Sequence, residues 1–360
     1  MNANPPTIST NNLNAVDIMK FLAAILVIFI HTNPLTPVST FVNFGLVETI
    51  SRIAVPFFFM TSGYLFYSKI AQKGRGRGVP LSGNYLVKYL KRISILYVIW
   101  SAVYFSYDII KVYEIHPNVV VALVFYAKNL ILIGGHFHLW YFPALIFGTI
   151  ILYVGTRILP LKFIVLISWV MYIIGLFGDS YFGLISNGSF VASAYELYFK
   201  FFGTTRNGLF FGFMYITLGA VLFEKKSSLT ASRSGCLFGV SFAALMLEVF
   251  LLRRFTVPRD YNMMLFLIPT AYFLLQFLIN LKLPSWNMNY SWFRDSSVLI
   301  YCSHGIFLMV YTQMYTSYVH RNPSGIMFCV LVFLSSLALS LIIMRIRHYK
   351  KDKQIYETSL

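Results

Sequence analysis

Apolar stretches long enough to cross a lipid bilayer recur along almost the whole chain, separated by short polar segments. They predict spanning helices at roughly residues 16–33, 50–68, 93–112, 139–155, 161–178, 206–223, 234–252, 261–280, 296–316 and 324–344, because about 18–20 apolar residues cover a hydrocarbon core of ~30 Å. An eleventh apolar stretch, NVVVALVFYAKNLILIGG at 118–135, carries Lys128 and Asn129 in its middle, which a lipid-facing span tolerates poorly. It is expected to be an interfacial or re-entrant helix on the outer side. The expected fold class is therefore an all-α polytopic membrane protein of about ten transmembrane helices plus that one. A polar tail (1–15) would precede a single transmembrane domain (16–344), and a basic tail (345–360) would follow it.

Composition agrees with this reading. The chain is 58% hydrophobic and 11% charged, with a mean hydropathy of +0.69, whereas soluble domains carry roughly 25% charged residues. The net charge of +17 does not point to nucleic acid, because the basic residues sit in short loops and at the C-terminus and form no basic soluble domain. Loop 69–92 holds seven lysines and arginines and no acid. With EKKSSLTASR (224–233) and RIRHYKKDK (345–353), it is expected in the cytoplasm, which also puts both termini there. Only RRFTVPR (253–259) breaks that rule. The first fifteen residues lack a basic n-region, so the first helix is expected to be an uncleaved anchor. Cys236, Cys302 and Cys329 form no CxxC or Cys/His cluster and read as inert thiols, and no metal site is expected. The glycine-rich GRGRG (74–78) lacks the ending of a phosphate-binding loop.

The informative residues are those that do not belong in lipid. Lys20 and His31 are eleven apart, so on a helix they lie about 20° apart on one face with ~16 Å of rise between them. Asp17 lies one turn before Lys20 and can pair with it. Such residues usually face a bundle interior or a watery cavity; the plainer reading is that Lys20 snorkels to the interface and His31 sits among headgroups. Glu48 and Arg52 can pair at i,i+4. Ser62 and Gly63 fit either close helix packing or, less readily, a nucleophile, with no His/Asp partner evident. His136 and His138 look like half a metal site but read better as a wet outer loop. His304 lies well inside a span, where it needs a partner or a cavity. Asp179 and Arg206, the latter beside Asn207, are expected on the outer side, either as recognition groups for a zwitterion or as a rim salt bridge.

Four motifs carry a family resemblance. D-x-x-K-x10-H from Asp17 to His31, SRIAVPFFFMTSGYLFY (51–67), HLWYFPALIFG (138–148) and SSVLIYCSHGIFL (296–308) occur in the order seen in the integral-membrane acyltransferase type 3 family, which the chain resembles from residue 17 to 308. VPFFFMTSGYLF and HLWYF resemble members that O-acetylate surface glycans. GLFGDSYFGLI (175–185) and GTTRNGLFFG (203–212) look more like the membrane half of the vancomycin-resistance serine racemases, a half thought to supply serine and followed there by a racemase domain. This sequence ends at Leu360, and no such domain is expected. It also departs from the family pattern: Lys20 stands where an arginine is usual, Leu145 where many members have a glutamate, and a proline common after the basic loop is missing from KYLKRISILYV.

The resemblance implies a transmembrane O-acyltransferase in a bacterial plasma membrane. It would move an acyl group, in the first instance acetyl, from cytoplasmic acyl-CoA to an outer-face acceptor such as a glycan or cell-wall precursor. His31 would be the essential base, with Asp17 holding Lys20. Lys20 and Arg92 would handle the donor phosphates, and Arg52, Ser62, Trp140, Arg206, Asp179 and His304 would contribute to substrate binding. The alternative is a transporter-like module for serine or another small amino acid, with Arg206 and Asp179 at its outer gate.

Overall fold

The computed structural model describes residues 13–73, 83–225, 229–283, 288–320 and 322–358, and every regular element among them is helical. In chain order these are α1 (Asn14–Thr32), α2 (Thr40–Gly45), α3 (Ala54–Lys73), α4 (Gly83–Ile115), α5 (Val119–Leu132), α6 (Tyr141–Ile158), α7 (Leu161–Phe177), α8 (Phe190–Phe202), α9 (Phe213–Glu224), α10 (Ala231–Phe255), α11 (Leu267–Asn280), α12 (Tyr290–Val319) and α13 (Ile326–Thr358). Among the described residues there are two π-helical turns: Leu46–Ile50 continues from α2, and Gly208–Gly212 opens α9 after the extended Asn207. Among the described residues seven helices, including the continuous run Thr40–Ala71, are long and apolar enough to cross a membrane, and four shorter apolar ones accompany them. The GRGRG segment at 74–78 lies outside the described residues.

The expected interfacial stretch at 118–135 forms the 14-residue α5. Asn118 starts it, its side chain accepting from the backbone amides of Val120 (3.0 Å) and Val121 (3.2 Å). Two helices are not anticipated by the hydropathy pattern, the six-residue α2 and α8. α8 lies inside the segment read as an outer loop, capped by Ser189, whose Oγ accepts from Ala192 N. Glu196 and Lys200 break its apolar run, so its sequence, FVASAYELYFKFF, is amphipathic rather than lipid-like.

The chain folds as two compact units, residues 9–54 with 281–360, and residues 55–280. In the first, α1 packs on α12 and α13, and α12 packs on α13. Small side chains make this possible: Ala23 and Ala24 of α1 and Ser296, Ser303 and Gly305 of α12 are all buried. In the second unit, α6, α7 and α9 with its preceding π-turn form the centre, and α10 and α11 form a hairpin. There α3 and α9 touch backbone to backbone. A Cβ on Gly63 would lie 2.2 Å from the Ile216 carbonyl oxygen, and one on Gly219 would lie 2.1 Å from that of Met60. The glycine of the TSGYLF motif is thus a packing residue, as close-approaching membrane helices require.

Candidate functional site

In the first unit the structure brings together two histidines that lie far apart in sequence. The rings of His31, at the end of α1, and His304, midway along α12, are stacked with centroids 5.5 Å apart and planes inclined by 23°. His304 is fully buried. Its Nδ1 lies 2.7 Å from the Tyr301 carbonyl oxygen. A carbonyl can only accept, so Nδ1 carries the proton and the neutral ring has its lone pair at Nε2. At the other end of α1, Lys20 Nζ donates to Asp17 Oδ1 at 2.9 Å, as the i,i+3 spacing suggests. Arg294 of α12 also reaches Asp17, with Nη1 4.0 Å from Oδ2, and its Nε donates to Asp295. Arg52 Nε donates to Glu48 Oε2 at 2.7 Å, the expected pair.

In the second unit the motifs GLFGDS and GTTRNG meet. Thr205 Oγ1 donates to the Gly175 carbonyl at 2.8 Å, and a Cβ on Gly178 would collide with the Thr205 side chain. Asp179 does not form the expected direct pair with Arg206; the two are joined through Asn262. Asp179 Oδ1 accepts from the backbone amides of Asn262 (2.8 Å) and Met263 (2.9 Å), and its Oδ2 accepts from Asn262 Nδ2. The Asn262 Oδ1 then accepts from Arg206 Nη1 at 2.9 Å. Those two amides lie in the loop before α11, outside any helical ladder, and the Asp179 carboxylate supplies their acceptor. Burial, and next the negative charge of Asp260, hold the Asp179 carboxyl above the usual carboxylate range. The Arg206 guanidinium lies over Trp140, 4.8 Å from the ring centroid. Asn207 caps the π-turn, accepting from Leu209 N and Phe210 N and donating to Tyr198 Oη.

The expectation of a wet loop at His136 and His138 is overturned: they are 3% and 2% exposed. His136 Nδ1 lies 2.6 Å from Asp108 Oδ1 of α4, and its ring stacks on Tyr104 at 4.2 Å. The surrounding rings of Tyr104, Phe137 and Tyr107 exclude water from what composition alone marks as a polar loop. Among the described residues no group of three or more His, Cys, Asp or Glu side chains is placed to hold a metal ion. Ser62 Oγ sits 3.2 Å from Tyr141 Oη, a contact between two hydroxyls. Arg92 is exposed on α4. Sequence reasoning assigned no role to Arg294, Asn262, Asp108 or Glu248. Glu248, on α10, accepts from Leu265 N (2.6 Å), Phe266 N (2.8 Å) and Tyr181 Oη (2.6 Å), and so caps the start of α11.

Repeated apolar helices among the described residues, with ionisable residues paired and buried inside each unit, mark a polytopic membrane protein. The chain belongs to the acyltransferase type 3 family: the family model, described as an acyltransferase domain, matches residues 13–345. It is 28% identical over 337 residues to an amino-acid racemase of Enterococcus faecalis, covering 93% of this chain and 46% of that protein. A second amino-acid racemase of that organism is 29% identical over 75% of this chain and 36% of its own length. A serine/alanine racemase of Enterococcus gallinarum is 28% identical over 77% of this chain and 38% of its own. The chain thus spans less than half the length of these relatives. No solved structure matches it.

Proposed function

We propose that the chain is a transmembrane O-acyltransferase that passes an acyl group, acetyl first among candidates, from acyl-CoA on the cytoplasmic side to a hydroxyl-bearing acceptor at the outer face of a bacterial plasma membrane. The observation that carries this reading is the stacked His31–His304 pair, with the second ring fixed in one tautomer by a backbone carbonyl. In the reaction, His31 takes the proton of the acceptor hydroxyl, whose oxygen attacks the thioester carbonyl. The tetrahedral oxyanion collapses, the C–S bond breaks, and the departing thiolate receives the proton from the imidazolium. His304 positions the His31 ring by stacking. Lys20, held by Asp17, and Arg294, which also reaches Asp17, favour the donor phosphates through charge-assisted contacts. This reading uses ten spans with both termini cytoplasmic, leaving α5 and α8 on the outer side; the acid-free basic loop 69–92 supports that orientation.

A second reading, a transporter-like module for serine or a similar amino acid, has one finding in its favour. One of the similar proteins is named a serine/alanine racemase. One experiment separates the two. Purified protein in sealed liposomes, with acyl-labelled acyl-CoA on the side of loop 69–92 and labelled serine on the other, is compared with His31→Ala. Thioester breakdown dependent on the protein and on His31 supports acyl transfer. Serine accumulation with the thioester intact overturns it.

A further inference from the structure

We propose that the cavity beside Arg206 is a binding site for an amphiphile with an anionic head, loaded sideways from the bilayer. The cavity, of about 340 Å3, lies between the end of α5, the start of α6, α8 and the π-turn. That volume is at the small end of the range for ligand pockets. Its walls are almost wholly apolar, built by residues such as Ile131, Ile133, Pro143, Phe147, Phe202 and Leu209.

Three features select the occupant. First, Arg206 is the one charged residue among the described residues of the lining, so the cavity offers its occupant a cation and favours an anion. Its guanidinium is held in place by Asn262 on one side and the Trp140 face on the other. A fork of five donors can hold an asparagine oxygen and an anion together. Second, the remaining polar groups of the wall are engaged with the protein itself. Asn207 serves Leu209 N, Phe210 N and Tyr198 Oη, Thr204 Oγ1 accepts from Arg206 N, and Tyr198 Oη donates to the Thr204 carbonyl. A compact polar zwitterion such as serine would meet one charge and a greasy wall, and its ammonium would have no carboxylate to meet. Third, two wall residues are largely exposed, Ile131 at 71% and Phe147 at 51%. In a chain embedded in lipid, such apolar exposure faces hydrocarbon, so an alkyl tail reaches the cavity without crossing water.

The shared chemistry is an alkyl chain bearing a carboxylate or a phosphate. The head would rest on Arg206 and the tail along α5, α6 and α8. This site is independent of the acyl-transfer reading, because no acyl donor enters its test.

The full chain is reconstituted in nanodiscs of phosphatidylcholine and titrated with brominated fatty acid, brominated phosphatidic acid and brominated diacylglycerol. Bromine quenches tryptophan on contact, and Trp140 lines the cavity, so Trp140→Phe identifies the signal that belongs to the site. The expected result is saturable quenching by one or both anionic probes that disappears in Trp140→Phe. Arg206→Gln should weaken it by about tenfold or more, the effect of losing a hydrogen bond to a charged group. Preference for phosphatidic acid identifies a membrane-lipid headgroup, and preference for the fatty acid a free carboxylate. Equal quenching by neutral diacylglycerol overturns the proposal, as does quenching independent of Trp140 or displacement by millimolar serine. The comparison of anionic with neutral probe uses wild-type protein alone, so the proposal stays refutable if Arg206→Gln fails to fold.

Discussion

Replacing a glycine inside a helix by alanine ordinarily stabilises by ~0.5–1 kcal/mol, because the unfolded glycine has more freedom to lose. At Gly63 the sign should reverse. The added Cβ would sit 2.2 Å from the Ile216 carbonyl oxygen, so α3 and α9 would have to separate by roughly 1 Å to restore normal packing. The obstacle is backbone, and no side chain can swing aside. Overpacking of this kind costs about 1–3 kcal/mol, so Gly63→Ala should lose ~1–2 kcal/mol net. Gly239, in α10 of the same unit, is the control: nothing lies within 4 Å of its added Cβ, and Gly239→Ala should gain the ordinary increment. Thermal midpoints of the purified protein in neutral detergent read both. At roughly 2–4 °C per kcal/mol for a unit of this size, Gly63→Ala should melt several degrees lower and Gly239→Ala slightly higher. If Gly63→Ala rises in step with Gly239→Ala, the backbone contact between α3 and α9 is not there.

Other consequences are as direct. His304→Ala should reduce thioester turnover by about 10- to 100-fold, less than the ~10²–10⁴-fold expected for His31→Ala as base; equal activity in all three proteins would remove the pair from the reaction. Asp108→Ala should destabilise by ~3 kcal/mol or more by stripping a buried partner from His136, and Asp108→Ala with His136→Phe should recover part of that loss. A double variant worse than the sum of its parts would refute the coupling. Burial raises the Asp179 carboxyl, so the folded chain holds that proton more tightly than the unfolded one. The stability linked to it is complete below the ordinary value of 3.8 and is lost as pH rises through the folded value. The melting temperature of wild type relative to Asp179→Asn should therefore fall across that interval, whereas a constant difference would argue against a raised carboxyl.

The hydropathy pattern located the long helices because lipid requires an unbroken apolar run and leaves few alternatives. It missed α8 because an amphipathic helix needs only one apolar face, and Glu196 and Lys200 break the run. At the site, Asp17 with Lys20 and Glu48 with Arg52 were legible because each pair is local on one helix. The His31–His304 contact was not legible, since each histidine marks only its own helix and the packing of α1 on α12 decides that they meet. Asp108 and Glu248 carried a usable signal: each is an acid inside an apolar run, where a charge persists only with dedicated partners. Asn262 carried none, being an uncharged residue in a loop whose role depends on two other loops.

The π-turn at Gly208–Gly212 has a bearing on how this family is compared. An i→i+5 turn holds one residue more than an α-helical turn, so it behaves as an insertion absorbed at the start of α9, directly after the extended Asn207. Here the segment on one side ends in the Asn207 cap and the segment on the other carries Gly219 against α3. Deleting a single codon within 208–212 would straighten the ladder and rotate one anchor against the other by about 100°. Relatives that lack the turn should therefore align with a one-residue gap at the start of α9. Such a gap would mark a change in the register of Arg206 relative to α9.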